Sequence, residues 1–172
     1  MRVATILLLA SLSATAGAQI AEIDMGAPAA PAPENVVAWN ATVRPVAGSA
    51  GTYRITVTGR IAEGWRVYAM APSVTGRPLA VGLADLPPGF EVIVPPRETA
   101  PTRAGRDEVL GVDYDYFAGL VTVEADVRAG AGARPGRHVV RGSVRYAACD
   151  ERICLSPRTV RFEAPVTVAA RR

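Results

Sequence analysis

Apolar and polar residues alternate with a period of two along four stretches of the chain. In GTYRITVTGRI (51–61), Tyr53, Ile55 and Val57 fall on one side, and Arg54, Thr56 and Thr58 on the other. In LVTVEADVR (120–128), Val121, Val123, Ala125 and Val127 oppose Thr122, Glu124, Asp126 and Arg128. The pattern returns in HVVRGSVRYAA (138–148) through Val140, Val144 and Tyr146. It returns again in TVRFEAPVTVA (159–169) through Val160, Phe162, Val166 and Val168. Successive side chains of an extended chain point to opposite faces, so each stretch predicts a strand with one dry and one wet face. Pro and Gly clusters separate the stretches: VTGRP, LPPG, VPPRETAPTRAG and GAGARPG. No segment of helical length shows a 3.6-residue period, and 14 Pro and 16 Gly would interrupt most candidates. Half-buried strands must cover one another's apolar faces. The expected fold is therefore all-β, an immunoglobulin-like β-sandwich of two sheets packed face to face. The pattern does not order the strands.

The N-terminal end follows a different rule. MRVATILLLASLSATAGA (1–18) has a basic start at Arg2, a short apolar run and small residues at Ala16 and Ala18, the layout of a secretory signal peptide. The run is too short to span a bilayer. Residues 19–35 are rich in Ala and Pro and read as an extended leader, leaving one domain over 36–169. Every basic residue is arginine, and loss of Arg2 leaves 18 of them against 16 acidic residues. They are spread singly, so no nucleic-acid face or polybasic membrane patch is expected; the chain is also expected to be a monomer.

Export changes the meaning of the two cysteines, both in YAACDERICLSP (146–157). In an oxidising compartment a close pair is expected to spend time as a disulfide. Closing a six-residue loop removes little unfolded-state entropy, about 2 kcal/mol, so stability is a weak reason for such a bridge. Thiol exchange is a better one, because a mixed disulfide is resolved quickly by a neighbouring thiolate. The loop has no His or Lys to activate a thiol. Asp150 and Glu151 would raise a thiol pKa and Arg152 would lower it. Spacing alone leaves exchange, a structural bridge and metal binding open. Met25, Met70 and His138 are too scattered to complete a ligand set with the cysteines, so no metal and no cofactor is expected. His138 is expected at a turn or on the surface, and Trp65 in the core.

VRYAACDERICLSPRTVRF resembles the cysteine segment of the DsbD N-terminal-domain family, the periplasmic N-terminal domain of the thiol:disulfide interchange protein. GWRVYAMAP, GFEVIVPPRE and DYDYFAGLVTVEADV resemble further family segments in the same order, so the resemblance spans roughly residues 36–168. It implies an immunoglobulin-like domain in the periplasm of a Gram-negative bacterium. There, Cys149 and Cys154 would take electrons from a membrane-embedded thiol reductase and pass them to periplasmic client proteins. By the same resemblance Cys149 forms the mixed disulfide and Cys154 resolves it. Phe117, with Tyr116 and Asp115, stands where the family has a cap over the disulfide, and Tyr68 stands near an aromatic packed beside it. The chain departs from the family in having four rather than five residues between the cysteines. It also has Tyr116 where an acid is usual and Ala118 where a second aromatic is usual. These 172 residues contain no transmembrane electron carrier and no thioredoxin-like domain, so the reductant is expected to be another protein. The alternative is a non-catalytic accessory sandwich with a structural bridge, in cytochrome c or copper-protein maturation.

Overall fold

Eleven strands and no helix make up the described residues of the computed structural model, which are 36–70, 78–107 and 111–170. The expected signal peptide, the leader with Met25, and most of the VTGRP cluster lie outside them. The strands are β1 (Val37–Pro45), β2 (Thr52–Ile61), β3 (Arg66–Tyr68), β4 (Ala80–Asp85), β5 (Phe90–Glu98) and β6 (Arg103–Asp107). They continue with β7 (Val112–Phe117), β8 (Leu120–Ala129), β9 (Gly136–Tyr146), β10 (Ala148–Cys149) and β11 (Arg158–Val168). All described pairings are antiparallel.

One sheet has the order β1-β2-β8-β5 and a second the order β11-β9-β4. Relabelled in chain order as A, B, C, D, E, F and G, the strands of these two sheets read A-B-E-D and G-F-C. That is the arrangement of a constant-type immunoglobulin sandwich. The alternation seen in the sequence becomes the packing. Tyr53, Ile55 and Val57 from β2, and Val121, Val123 and Val127 from β8, share one buried cluster with Val140, Val144 and Tyr146 from β9 and Phe162 and Val166 from β11. Burial of each such side chain is worth about 1.5–3 kcal/mol. Trp39 of β1 meets Tyr146 at 5.2 Å between ring centroids, and the Tyr53 hydroxyl donates to the Thr167 carbonyl at 3.2 Å, tying the two sheets together. Trp65 packs half-buried against this core.

In such a sandwich successive connections lie alternately at the two ends. The turn before β5 and the β8–β9 connection therefore share one end. Their closeness is direct: a Cβ on Gly89 would stand 2.2 Å from the Ala133 nitrogen, and Gly89 has φ +82°. The connections β2–β4, β5–β8 and β9–β11 share the other end. Each carries extra strand: β3 in the first, the β6–β7 hairpin in the second, β10 in the third. These pair with one another as a small third sheet, β10-β3-β7-β6. The cysteines lie there.

Candidate functional site: a disulfide on an end sheet

Cys149 and Cys154 form a disulfide, with Cα atoms 4.0 Å apart. The backbone explains why four intervening residues suffice. The Asp150 N–H donates to the Ile153 carbonyl at 2.9 Å, and the Leu155 N–H to the Ala148 carbonyl at 2.9 Å. These two bonds flank the cysteines, which are thus a cross-strand, non-hydrogen-bonded pair, the closest opposition an antiparallel ladder offers. Residues 150–153 are the loop of the resulting hairpin.

Asp150 shapes that loop. Its carboxylate accepts from the backbone N–H groups of Arg152 and Ile153, each at 2.7 Å. Those bonds, Ile153's first, hold the carboxyl below the usual range, with the guanidinium charges of Arg152 and Arg66 adding to the effect. The negative charge that the sequence set beside the first thiol is thus already engaged by the loop's own donors.

The two cysteines differ in accessibility. Cys149 has no exposed surface, whereas Cys154 is exposed and is preceded by Ile153, which is 55% exposed. A thiolate arriving from solvent therefore finds Cys154 first. A shallow depression of about 370 Å³, lined by Gly64, Asp150, Glu151 and Arg152, adjoins the loop.

Register then separates the expected cap residues into two groups. Partners in an antiparallel ladder share a face. Ala148 pairs with Val67, and Val67 with Phe117, so these three form one face. All three belong to the sandwich core cluster, and Phe117 is completely buried. Cys149 pairs with Arg66, and Tyr68 with Tyr116, which puts all four on the opposite face. Tyr114 joins them, its ring 5.1 Å from Tyr68 and 5.9 Å from Tyr116. Asp115 is exposed, and its carbonyl accepts from the Ala69 N–H at 2.9 Å. Tyr116 and Tyr68 thus share the disulfide's side of the sheet, and Phe117 lies beneath it.

Two residues of this face escaped the sequence reading. Arg66 and Tyr114 carry the same signal as their neighbours, the period of two in WRVY and DYDY, but only pairing shows which cysteine they stand near. The Arg66 Nε–H is buried without a hydrogen-bond partner among the described residues. His138 lies at the far side of the fold, its Nε2 2.7 Å from the Arg134 carbonyl and its ring 5.5 Å from Phe90. Among the described residues no group of three His, Cys, Asp or Glu side chains gathers in metal-binding proximity.

The chain matches no protein-family model and no curated protein. Among solved structures, it is similar to the N-terminal periplasmic domain of ScsB from Proteus mirabilis. The identity is 15% and the TM-score 0.48, over 80% of this chain and 49% of the other. The match therefore spans about half the length of that structure.

Proposed function

We propose that this protein is an exported thiol–disulfide exchange protein. Its Cys149–Cys154 pair takes two electrons from a membrane-embedded thiol reductase and hands them to periplasmic client proteins. Residues 1–18 serve as the export signal, 19–35 as the leader and 36–169 as the exchange domain. One observation carries the reading: the bridge spans a four-residue hairpin loop on an end sheet, with one of its cysteines exposed. A bond placed to hold the sandwich together would join its two sheets. The likeness of the cysteine segment to the DsbD N-terminal-domain family supports the same reading.

In the proposed cycle a thiolate of the reductase attacks the sulfur of the exposed Cys154, and the electron pair of the bridge leaves on Cys149. The order is the reverse of that implied by the family resemblance, because Cys149 has no accessible surface. A second thiolate of the reductase then attacks its own sulfur in the mixed disulfide and releases Cys154. The reductase ends as a disulfide and this chain as a dithiol, two electrons having moved and protons being taken from water. Reduction of a client is the same sequence reversed. Tyr68 and Tyr116 cover the Cys149 side of the small sheet, with Phe117 and Asp115 holding the strand that carries Tyr116.

The full burial of Cys149 favours a second reading, an accessory module with a structural bridge. The reduction potential of the pair separates the two. Equilibration with glutathione or dithiothreitol is expected to give a value between about −120 and −270 mV, as in exchange proteins. A value below about −300 mV would instead mark a bridge that is only structural.

A further inference from the structure

The bond that opens in exchange leaves a charge behind, and the structure has a group facing it. Arg66 is the register partner of Cys149 across the β3–β10 ladder. Directly opposed side chains leave an antiparallel pair on one face, about 4.5–5.5 Å apart at Cβ. Arg66 is half-buried, and its Nε–H is fully buried with no acceptor among the described residues. A buried donor left unsatisfied is rare in native proteins, and a role in redox chemistry is among its recognised explanations.

Resting on the exchange reading, we infer that the Arg66 guanidinium receives the Cys149 thiolate when the bridge opens and makes Cys149 the better leaving group. In the oxidised protein the sulfur is neutral and the donor waits. Attack on Cys154 sends the bonding electron pair to Cys149, and the new thiolate supplies the missing acceptor. A charge-assisted hydrogen bond is stronger than a neutral one, so the interaction favours the reduced form. It also speeds the opening, because a thiol of lower pKa leaves faster.

The other ionisable neighbours do not take this place. Tyr68 shares Arg66's strand, and Tyr116 and Tyr114 lie one strand further on. Asp150 is engaged with two backbone donors, and Glu151 and Arg152 are exposed. The CDERIC loop itself holds no His or Lys to activate a thiol. The activating charge comes instead from a strand far away in the chain.

The test uses the full chain with Cys154→Ser, which isolates Cys149 as the single thiol, and follows thiolate absorbance in the ultraviolet against pH. Arg66→Met is expected to raise the Cys149 pKa by one unit or more, a tenfold loss of thiolate at a given pH below both values. Arg66→Lys is expected to retain most of the wild-type value. In the intact pair, Arg66→Met makes the potential more negative by about 30 mV for each tenfold change. Arg66→Gln carries the same expectation should Arg66→Met fail to fold. An unchanged Cys149 titration in a folded Met or Gln variant overturns the inference. A wild-type bridge that no dithiol reduces would instead sink the exchange reading, while the single-thiol titration still decides the role of Arg66.

Discussion

Cys149 and Cys154 stand directly opposite each other on one short hairpin, bonded sulfur to sulfur, yet one is fully buried and the other exposed. The asymmetry comes from their neighbours. Cys149 is the last residue of β10 and pairs with β3, whereas Cys154 is on the returning arm, which among the described residues has no further strand beside it in the small sheet.

Trapping should follow this asymmetry. A Cys149→Ser variant keeps the thiol of the exposed cysteine and is expected to accumulate mixed disulfides with a partner supplied in its disulfide form, one partner thiolate leaving as the new bond forms. A Cys154→Ser variant, keeping only the buried thiol, should trap at least tenfold less. Non-reducing electrophoresis after incubation with an oxidised periplasmic extract or a purified reductase in its disulfide form reads the difference. Equal trapping by both variants would refute attack at Cys154.

The bridge should matter little to stability. Replacing both cysteines by alanine is expected to lower the unfolding free energy by about 2 kcal/mol or less, since the closed loop has six residues. Urea denaturation of the oxidised wild type and the double variant checks this. A loss well above that range would assign the bond a structural role.

On the outer face of the larger sheet, Arg54 and Asp126 are paired in register across β2 and β8, with Nε–Oδ1 at 2.8 Å and Nη2–Oδ2 at 3.0 Å. Hydrogen bonding to Arg54 holds the Asp126 carboxyl below its ordinary range against the cost of burial. A carboxyl whose folded pKa is depressed binds its proton more readily in the unfolded chain. Its contribution is therefore fully present above the unfolded pKa, about 3.9, and is lost as pH falls through the folded one. Asp126→Asn is expected to be less stable than wild type near neutrality and to show a shallower acid loss. Urea midpoints measured from neutral pH to about pH 2 should show the two curves converging. Parallel curves would mean that Asp126 is not the group responsible.

Gly89 offers a control remote from the end that carries the cysteines. It combines φ +82° with a Cβ position 2.2 Å from the Ala133 backbone nitrogen, so neither the conformation nor the space admits a side chain. Gly89→Ala is expected to cost about 2 kcal/mol or more. The reduction potential of the pair should be unchanged, because Gly89 and the cysteines lie at opposite ends of the sandwich. A shift in potential would show that the two ends are coupled.

Phe117 separates core from cap. Its ring is completely buried within the apolar cluster, so Phe117→Ala is expected to cost about 3–5 kcal/mol. Phe117→Leu should remain folded and alter the rate of bridge reduction by glutathione less than twofold. A large acceleration in the leucine variant would establish Phe117 as a shield over the disulfide.

The sequence by itself determined four of the seven strands of the sandwich, and which of their residues face inward. Alternate side chains of an extended chain point opposite ways, and in β2, β8, β9 and β11 the apolar ones fall on every second position. It also determined that the sulfurs could meet, since four residues are enough for a hairpin loop. β4 and β6 were not legible: AVGLAD is broken by a glycine and RAGRD has no apolar alternation to read. Strand order was not legible either, because pairing depends on residues distant in the chain. Only the tertiary structure gathered three connections into a sheet at one end, buried Cys149 while leaving Cys154 exposed, and brought Arg66 opposite the buried cysteine. Burial and charge proximity are properties of neighbours, and the neighbours that set them here are brought in by folding.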